Sequence, residues 1–165
     1  MLKKKALLIG MTLVVAAGLF VGCGSKPEEA ATENTQVEQK AEEVAYKDGV
    51  YKAEGDEFQN GWKATVSIEV KDGKIVSADW NGVDEEGATK KDASKDGKYP
   101  MVEKAGAKAP WHEQAQLAEA YLIETQDPKN IKYTDDEGHT DAISGASIKV
   151  SEFFTLAEKA LEEAK

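Results

Sequence analysis

Apolar and polar residues alternate with a period of two from Trp62 to Val70. Trp62, Ala64, Val66, Ile68 and Val70 fall on one face, and Lys63, Thr65, Ser67 and Glu69 on the other. That is the pattern of a half-buried strand. Asp72-Gly73 follows, a pair that tolerates positive φ at both turn positions, and it predicts a tight hairpin. Ile75 to Trp80 returns as a second strand that is apolar on both faces, with Ile75 on one and Val76, Ala78 and Trp80 on the other. This predicts a central strand covered on two sides. Upstream, Asp48-Gly49 is a turn that leads into a short strand over Val50 to Ala53. Glu85 to Lys98, rich in Gly, Lys and Asp, reads as a long loop.

The period then changes. Pro110 suits the first position of a helix, where its missing N–H costs nothing, and the helix runs from Trp111 to about Gln126, ending at Asp127-Pro128. Residues 129–140 are polar and predict irregular chain. Val150, Phe153, Phe154, Ala157, Ala160, Leu161 and Ala164 recur at three- and four-residue steps, which predicts a last helix from near Ile148 to the C-terminus. The expected fold class is α+β, a small antiparallel sheet with two main helices packed on it. The apolar residues of both helices read as core.

The N-terminal pattern is of another kind. Lys3, Lys4 and Lys5 precede an uncharged stretch from Ala6 to Gly22, short of the ~20 apolar residues of a spanning helix and closing on small residues as a cleavable leader does. Directly behind it stands Cys23, the single cysteine of the chain. A small residue before a cysteine at the end of an apolar stretch resembles a bacterial lipobox, with Phe20 where Leu is usual. The resemblance implies a signal peptide over residues 1–22, lipidation at Cys23, and a mature protein on the outer face of the cytoplasmic membrane. From Gly24 to Val44 the chain has no aromatic and almost no large aliphatic residue, too little apolar area to offset ordering entropy. Residues 23–45 therefore predict a lipidated cysteine and a disordered tether, and 46–165 the folded domain.

Charge and cysteine count remove several classes of function. The formal charge is −10 from 21 basic and 31 acidic residues. Loss of residues 1–22, which carry three lysines and no acid, would take it to −13. A nucleic-acid binder needs a basic surface instead. One cysteine allows neither an internal disulfide nor a CxxC metal site.

Candidate chemistry sits before the last helix, in Thr140-Asp141-Ala142-Ile143-Ser144-Gly145-Ala146-Ser147. Physically this is a small-residue turn with hydroxyls, leading toward the positive end of a helix, where backbone N–H groups suit an anion. Gly145 permits positive φ or a close approach. The same residues also read as an ordinary cap, with Ser144 or Ser147 at the N-cap and Asp141 in the turn.

The segment resembles the acceptor motif of the FMN-binding domain family: Asp, two residues, Ser or Thr, Gly, Ala, then Thr or Ser. Asp141, Ser144, Gly145, Ala146 and Ser147 fill it in register. Asp48-Gly49-Val50-Tyr51, Gly61-Trp62, Lys71-Asp72-Gly73-Lys74-Ile75 and Gln126-Asp127-Pro128 extend the resemblance over most of 46–165. The resemblance implies FMN joined by a phosphoester to Ser147, installed from FAD by a separate FAD:protein FMN transferase, with Asp141 either recognised by that enzyme or orienting the acceptor. Serine stands where threonine is usual. The family includes lipoproteins of Gram-positive extracellular electron transfer, which implies an electron carrier between a membrane quinone or NADH dehydrogenase system and acceptors such as ferric iron. Trp62, Trp80, Trp111 and Tyr121 are candidates to stack on the ring, although each also reads as core.

Rival classes are a solute-binding or surface-interaction lipoprotein, and a hydrolase using Ser144 or Ser147. The chain is small for a two-lobed receptor and has no Gly-x-Ser-x-Gly elbow. His112 and His139 are its only histidines, and neither has a metal-ligating partner four residues further on, at i+4.

Overall fold

The computed structural model describes residues 45–165. The expected leader, Cys23 and the tether as far as Val44 lie outside the described residues. Three strands form one antiparallel sheet in chain order: β1 (Gly49–Glu54), β2 (Lys63–Lys71) and β3 (Lys74–Val83). Four helices follow: α1 (Lys90–Lys95), α2 (Met101–Ala105), α3 (Trp111–Thr125) and α4 (Ser151–Glu162). The fold is α+β, with α4 against β1 and β2 and α3 against β3.

Both hairpins turn on a pair of left-handed residues. Asp72 and Gly73 have φ of 53° and 75°, and Asn60 and Gly61 have φ of 52° and 83°. Such pairs match the twist of the flanking strands. At the second turn Gln59 and Trp62 exchange backbone hydrogen bonds of 2.8 and 3.0 Å, which fixes Trp62 at the threshold of β2.

The sheet corrects the expectation for its last strand. Glu69 pairs with Ser77 but Val70 pairs with Ile75, so Val76 is the extra residue of a β-bulge. One inserted residue moves Ile75 onto the face of Ala78 and Trp80, where all three are buried, and leaves Val76 45% exposed. The apparent two-faced apolar pattern is thus a one-faced strand read across a bulge. Nor is β3 central; it is an edge. Helix α3 completes that edge with side chains. Glu119 Oε1 accepts the Trp80 N–H at 2.7 Å, Gln126 Oε1 accepts the Ile75 N–H at 2.8 Å, and Gln126 Nε2 donates to the Ile75 carbonyl at 2.9 Å. Backbone groups that would otherwise lie unpaired at a sheet edge are satisfied without a fourth strand.

The expected loop over 85–98 holds helix α1. Thr89 caps it: its hydroxyl accepts the Asp92 N–H at 3.2 Å and donates to the Asp92 carboxylate at 2.7 Å, a reciprocal arrangement akin to a capping box. Helix α3 begins behind Pro110 and ends at Gln126, whose left-handed backbone (φ 61°) turns its N–H to the Leu122 carbonyl. Helix α4 starts three residues later than expected, at Ser151, for a reason that belongs to the loop before it.

The interior lies between the sheet and α3 and α4. Ile68, Leu122, Phe153 and Phe154 are almost fully enclosed, and Trp80 stacks on Phe153 with ring centroids 5.2 Å apart. The opposite sheet face carries Thr65, Ser67 and Glu69. At the N-terminal border Tyr46 is buried, and the Lys47 N–H bonds the Ala164 carbonyl at 2.7 Å. Among the described residues no helix is long and apolar enough to cross a membrane.

Two predictions follow from the sheet. Ile75→Ala loses about 2–5 kcal/mol of stability in urea unfolding, whereas Val76→Thr stays within about 0.5 kcal/mol; similar losses at both would refute the bulge. Asp48 accepts the Gly73 N–H at 2.9 Å, and that bond, with one from Asp72, holds its carboxyl below the usual range. Its contribution is present above the ordinary carboxylate pKa and is lost as pH falls through the lowered value. Thermal unfolding of Asp48→Asn therefore shows a shallower decline on the acid side than wild type.

Candidate functional site

Residues 138–150 form a loop closed at its base. The Val150 N–H bonds the Gly138 carbonyl at 2.8 Å, and Gly138 passes so close to Ser151 that a Cβ there would meet the Ser151 Oγ at 2.0 Å. This closure commits the Val150 N–H to the loop, and α4 begins at Ser151. Ser147 is therefore not a helix cap, and neither is Ser144; Val150 occupies the N-cap without a side-chain bond. Within the loop Thr140 is buried, donating to the Lys132 carbonyl at 2.7 Å and accepting the Ala142 N–H at 3.1 Å. Ile143 and Ile148 are buried anchors. Gly145 has φ of 89°, and a Cβ there would lie 3.1 Å from Leu117 Cδ1.

Around those anchors Asp141, Ser144, Gly145 and Ser147 are exposed and Ala146 is half-buried. What positions Ser147 is Gln114 of α3, whose side chain is fully buried. Gln114 Oε1 accepts the Ser147 N–H at 2.7 Å and the Ser147 hydroxyl at 3.1 Å, while its Nε2 donates to the Ala109 carbonyl at 2.7 Å. The hydroxyl is thus oriented by a hydrogen bond and open to an approaching reactant. Gln114 was not singled out from sequence. Its signal is a polar residue on the apolar stripe of Trp111, Ala115, Ala118 and Leu122.

Ser147 lies on the wall of a cleft of about 710 Å³. Trp62, Trp80, Tyr99 and Trp111 line it, with Lys90, His139, Lys149 and Glu152 among its charged and polar groups. Trp80 and Trp111 are mainly core, edge to face with ring centroids 5.3 Å apart. Trp62 and Tyr99 are half-buried and meet edge to face at 6.1 Å. Of the motif 141–147, Ser147 alone lines the cleft; Asp141, Ser144, Gly145 and Ala146 do not. Tyr121 is also elsewhere, packed on Phe154 and donating to the Asn130 carbonyl.

The cations of the cleft differ. Lys149 pairs with Glu137 at 2.7 Å. Lys90 holds its ammonium 4.6 Å from the Trp111 ring centroid and 4.9 Å from that of Tyr99, and burial lowers its pKa against the opposing charge of Glu152. Its neighbour Lys91 turns to the sheet edge, where it bonds Asp79 and Glu119; burial works against its charge, but those bonds outweigh it and raise its pKa. Asn81 Oδ1 accepts the Lys91 N–H at 3.0 Å. These contacts seat α1 on β3 and direct Lys90 to the cleft.

The histidines stand apart. His139 lines the cleft and bonds Asp135 at 2.6 Å. His112 Nδ1 lies 2.9 Å from Ser94 Oγ, which also accepts the His112 N–H; Ser94 is buried, so this pair ties α1 to α3. Among the described residues no three His, Cys, Asp or Glu are grouped to hold a metal ion.

The cleft volume falls within the range of small-molecule sites. Its aromatic walls and the Lys90 ammonium are compatible with a planar aromatic ligand that carries negative charge, and Ser147 places a hydroxyl on that wall. A flavin mononucleotide fits that donor set.

No family model matches the chain, and no curated protein matches it. Solved structures do. A solution NMR structure from Clostridium thermocellum is 60% identical, covering 72% of this chain and 92% of its own, with a TM-score of 0.57. A crystal structure of a Clostridium perfringens protein is 33% identical, covering 72% and 88%, with a TM-score of 0.56. Both are structural-genomics targets.

Replacing Gln114 by Met keeps the packing and removes both hydrogen bonds to Ser147. The expected result is a loss of about 1–3 kcal/mol with faster amide exchange at Ser147. Unchanged exchange there would show that the loop is held by other contacts.

Proposed function

We propose a function for this chain, which belongs to the same family as the Clostridium thermocellum and Clostridium perfringens proteins, from the position of one hydroxyl. Ser147 Oγ is exposed, oriented by Gln114, and set on the wall of an aromatic, cation-bearing cleft. That observation supports the reading of the chain as a carrier of FMN joined to Ser147 through a phosphoester. In the attachment the Ser147 oxygen bonds to the FMN phosphorus of FAD, the pyrophosphate P–O bond breaks, AMP leaves and the serine proton is released. The FAD:protein FMN transferase is the separate catalyst, and Asp141, Ser144 and Gly145 form the exposed face it would meet.

When bound, the flavin supplies one- and two-electron transfer. The chain contributes position and environment. Trp62 and Tyr99 offer ring surface at the cleft, Lys90 supplies positive charge, and Gln114 fixes the acceptor loop. Gly145 keeps the chain close to Leu117, where a side chain would push the loop outward. With Cys23 lipidated, the domain serves as an electron carrier on the outer face of the cytoplasmic membrane. It takes electrons from a membrane quinone or NADH dehydrogenase system and delivers them to acceptors such as ferric iron. Covalent attachment keeps the cofactor from diffusing away outside the cell.

Intact-mass spectrometry after co-expression with an FAD:protein FMN transferase tests the reading. The expected result is a gain equal to FMN less water, a yellow protein, and complete loss of the adduct in Ser147→Ala with the fold retained. A colourless wild-type chain of unmodified mass would favour a lipoprotein that binds a solute reversibly in the same cleft. An adduct that survives Ser147→Ala but not Ser144→Ala would move the attachment point.

A further inference from the structure

We infer that Lys90 is the residue that sets the electrostatics of the cleft toward its ligand, by placing an ammonium that has no ion-pair partner against negative charge on a planar aromatic ring. The inference rests on the flavin reading above and goes beyond it, because it assigns the charge-sensing role to a residue outside the acceptor motif.

Four observations carry it. The ammonium lies over the Trp111 and Tyr99 rings at 4.6 and 4.9 Å, so it is held at aromatic faces rather than in bulk water. No carboxylate of the described residues pairs with it: Glu152, the acid that acts on it, lies beyond ion-pair distance. The other lysine of the cleft, Lys149, is already neutralised by Glu137 at 2.7 Å. Finally, α1 is fixed at several points, through the Thr89 cap, Asn81 and the Lys91 bonds to Asp79 and Glu119. A partly desolvated cation without a directly bonded anion, aimed into a cleft by a braced helix, gains from negative charge that enters beside it.

A flavin offers that charge in two places, its phosphate and the pyrimidine end of its ring, which becomes more negative on reduction. The phosphate is tied to Ser147. The aromatic surroundings of Lys90 are those of a ring, and the ring is the source assigned here. A cation beside it favours the reduced form and raises the midpoint potential.

The test uses the full chain flavinylated beside the transferase, as wild type, Lys90→Met, Lys90→Gln and Lys90→Arg. Loading is measured by intact mass, folding by near-ultraviolet circular dichroism, and the midpoint potential by spectroelectrochemical titration at one pH. The Met and Gln variants are expected to load normally and to shift the reduced-to-oxidised ratio at least about tenfold toward the oxidised form, about 30 mV more negative for a two-electron couple. Arg restores most of the shift. Normal loading with unchanged potential in both neutral variants overturns the inference and leaves the flavin reading intact. Reduced loading with unchanged potential assigns Lys90 to the phosphate and overturns the ring assignment. A wild-type chain that takes no flavin overturns the reading and the inference together.

Discussion

A buried carboxamide must satisfy both its ends, and in this domain that requirement builds the site. Gln114 Nε2 reaches the Ala109 carbonyl, and Gln114 Oε1 takes both the N–H and the hydroxyl of Ser147. Because the side chain is fully buried, losing either set of partners costs the desolvation of a polar group. The chain ahead of α3 and the loop ahead of α4 are therefore held to one point, 33 residues apart in sequence for the serine. The exposed hydroxyl is fixed without being buried, because its tether runs inward.

The same helix solves a second problem by the same means. A three-stranded sheet leaves an open edge at β3, and α3 closes it with Glu119 and Gln126. Glu119 is buried and could not stay there alone; Lys91 reaches it from α1. Satisfying a sheet edge thus recruits α1, and seating α1 turns the adjacent Lys90 toward the aromatic cleft. The stabilising network and the candidate site share their supports.

The hairpin at Asp72-Gly73, the alternation of β2 and the stripe of α4 were legible because each is a local pattern with one physical outcome. Helix α3 was legible from Pro110 and Asp127-Pro128 at its ends. The bulge at Val76 was not, because one inserted residue inverts the period from which faces are assigned. Helix α1 was overlooked although Thr89 and Asp92 carry a capping signature, since its short run of Lys and Asp has no apolar period. The acceptor motif could be read residue by residue, yet its relation to α4 was misplaced. The closure of Val150 onto Gly138 is a contact between separate turns that spacing does not display.

The order of the three strands, α3 and α4, the α+β class and the candidate hydroxyl at Ser147 were legible in the sequence alone, because periodicity, turn chemistry and a short motif act between near neighbours. The tertiary structure decided which face of β3 turns inward, where α4 begins, that Gln114 holds the acceptor loop, and that Lys90 shares a cleft with Trp62, Tyr99 and Ser147. Those are juxtapositions of residues that no local pattern relates, brought together by the burial of apolar surface and the obligation of buried polar groups to find partners.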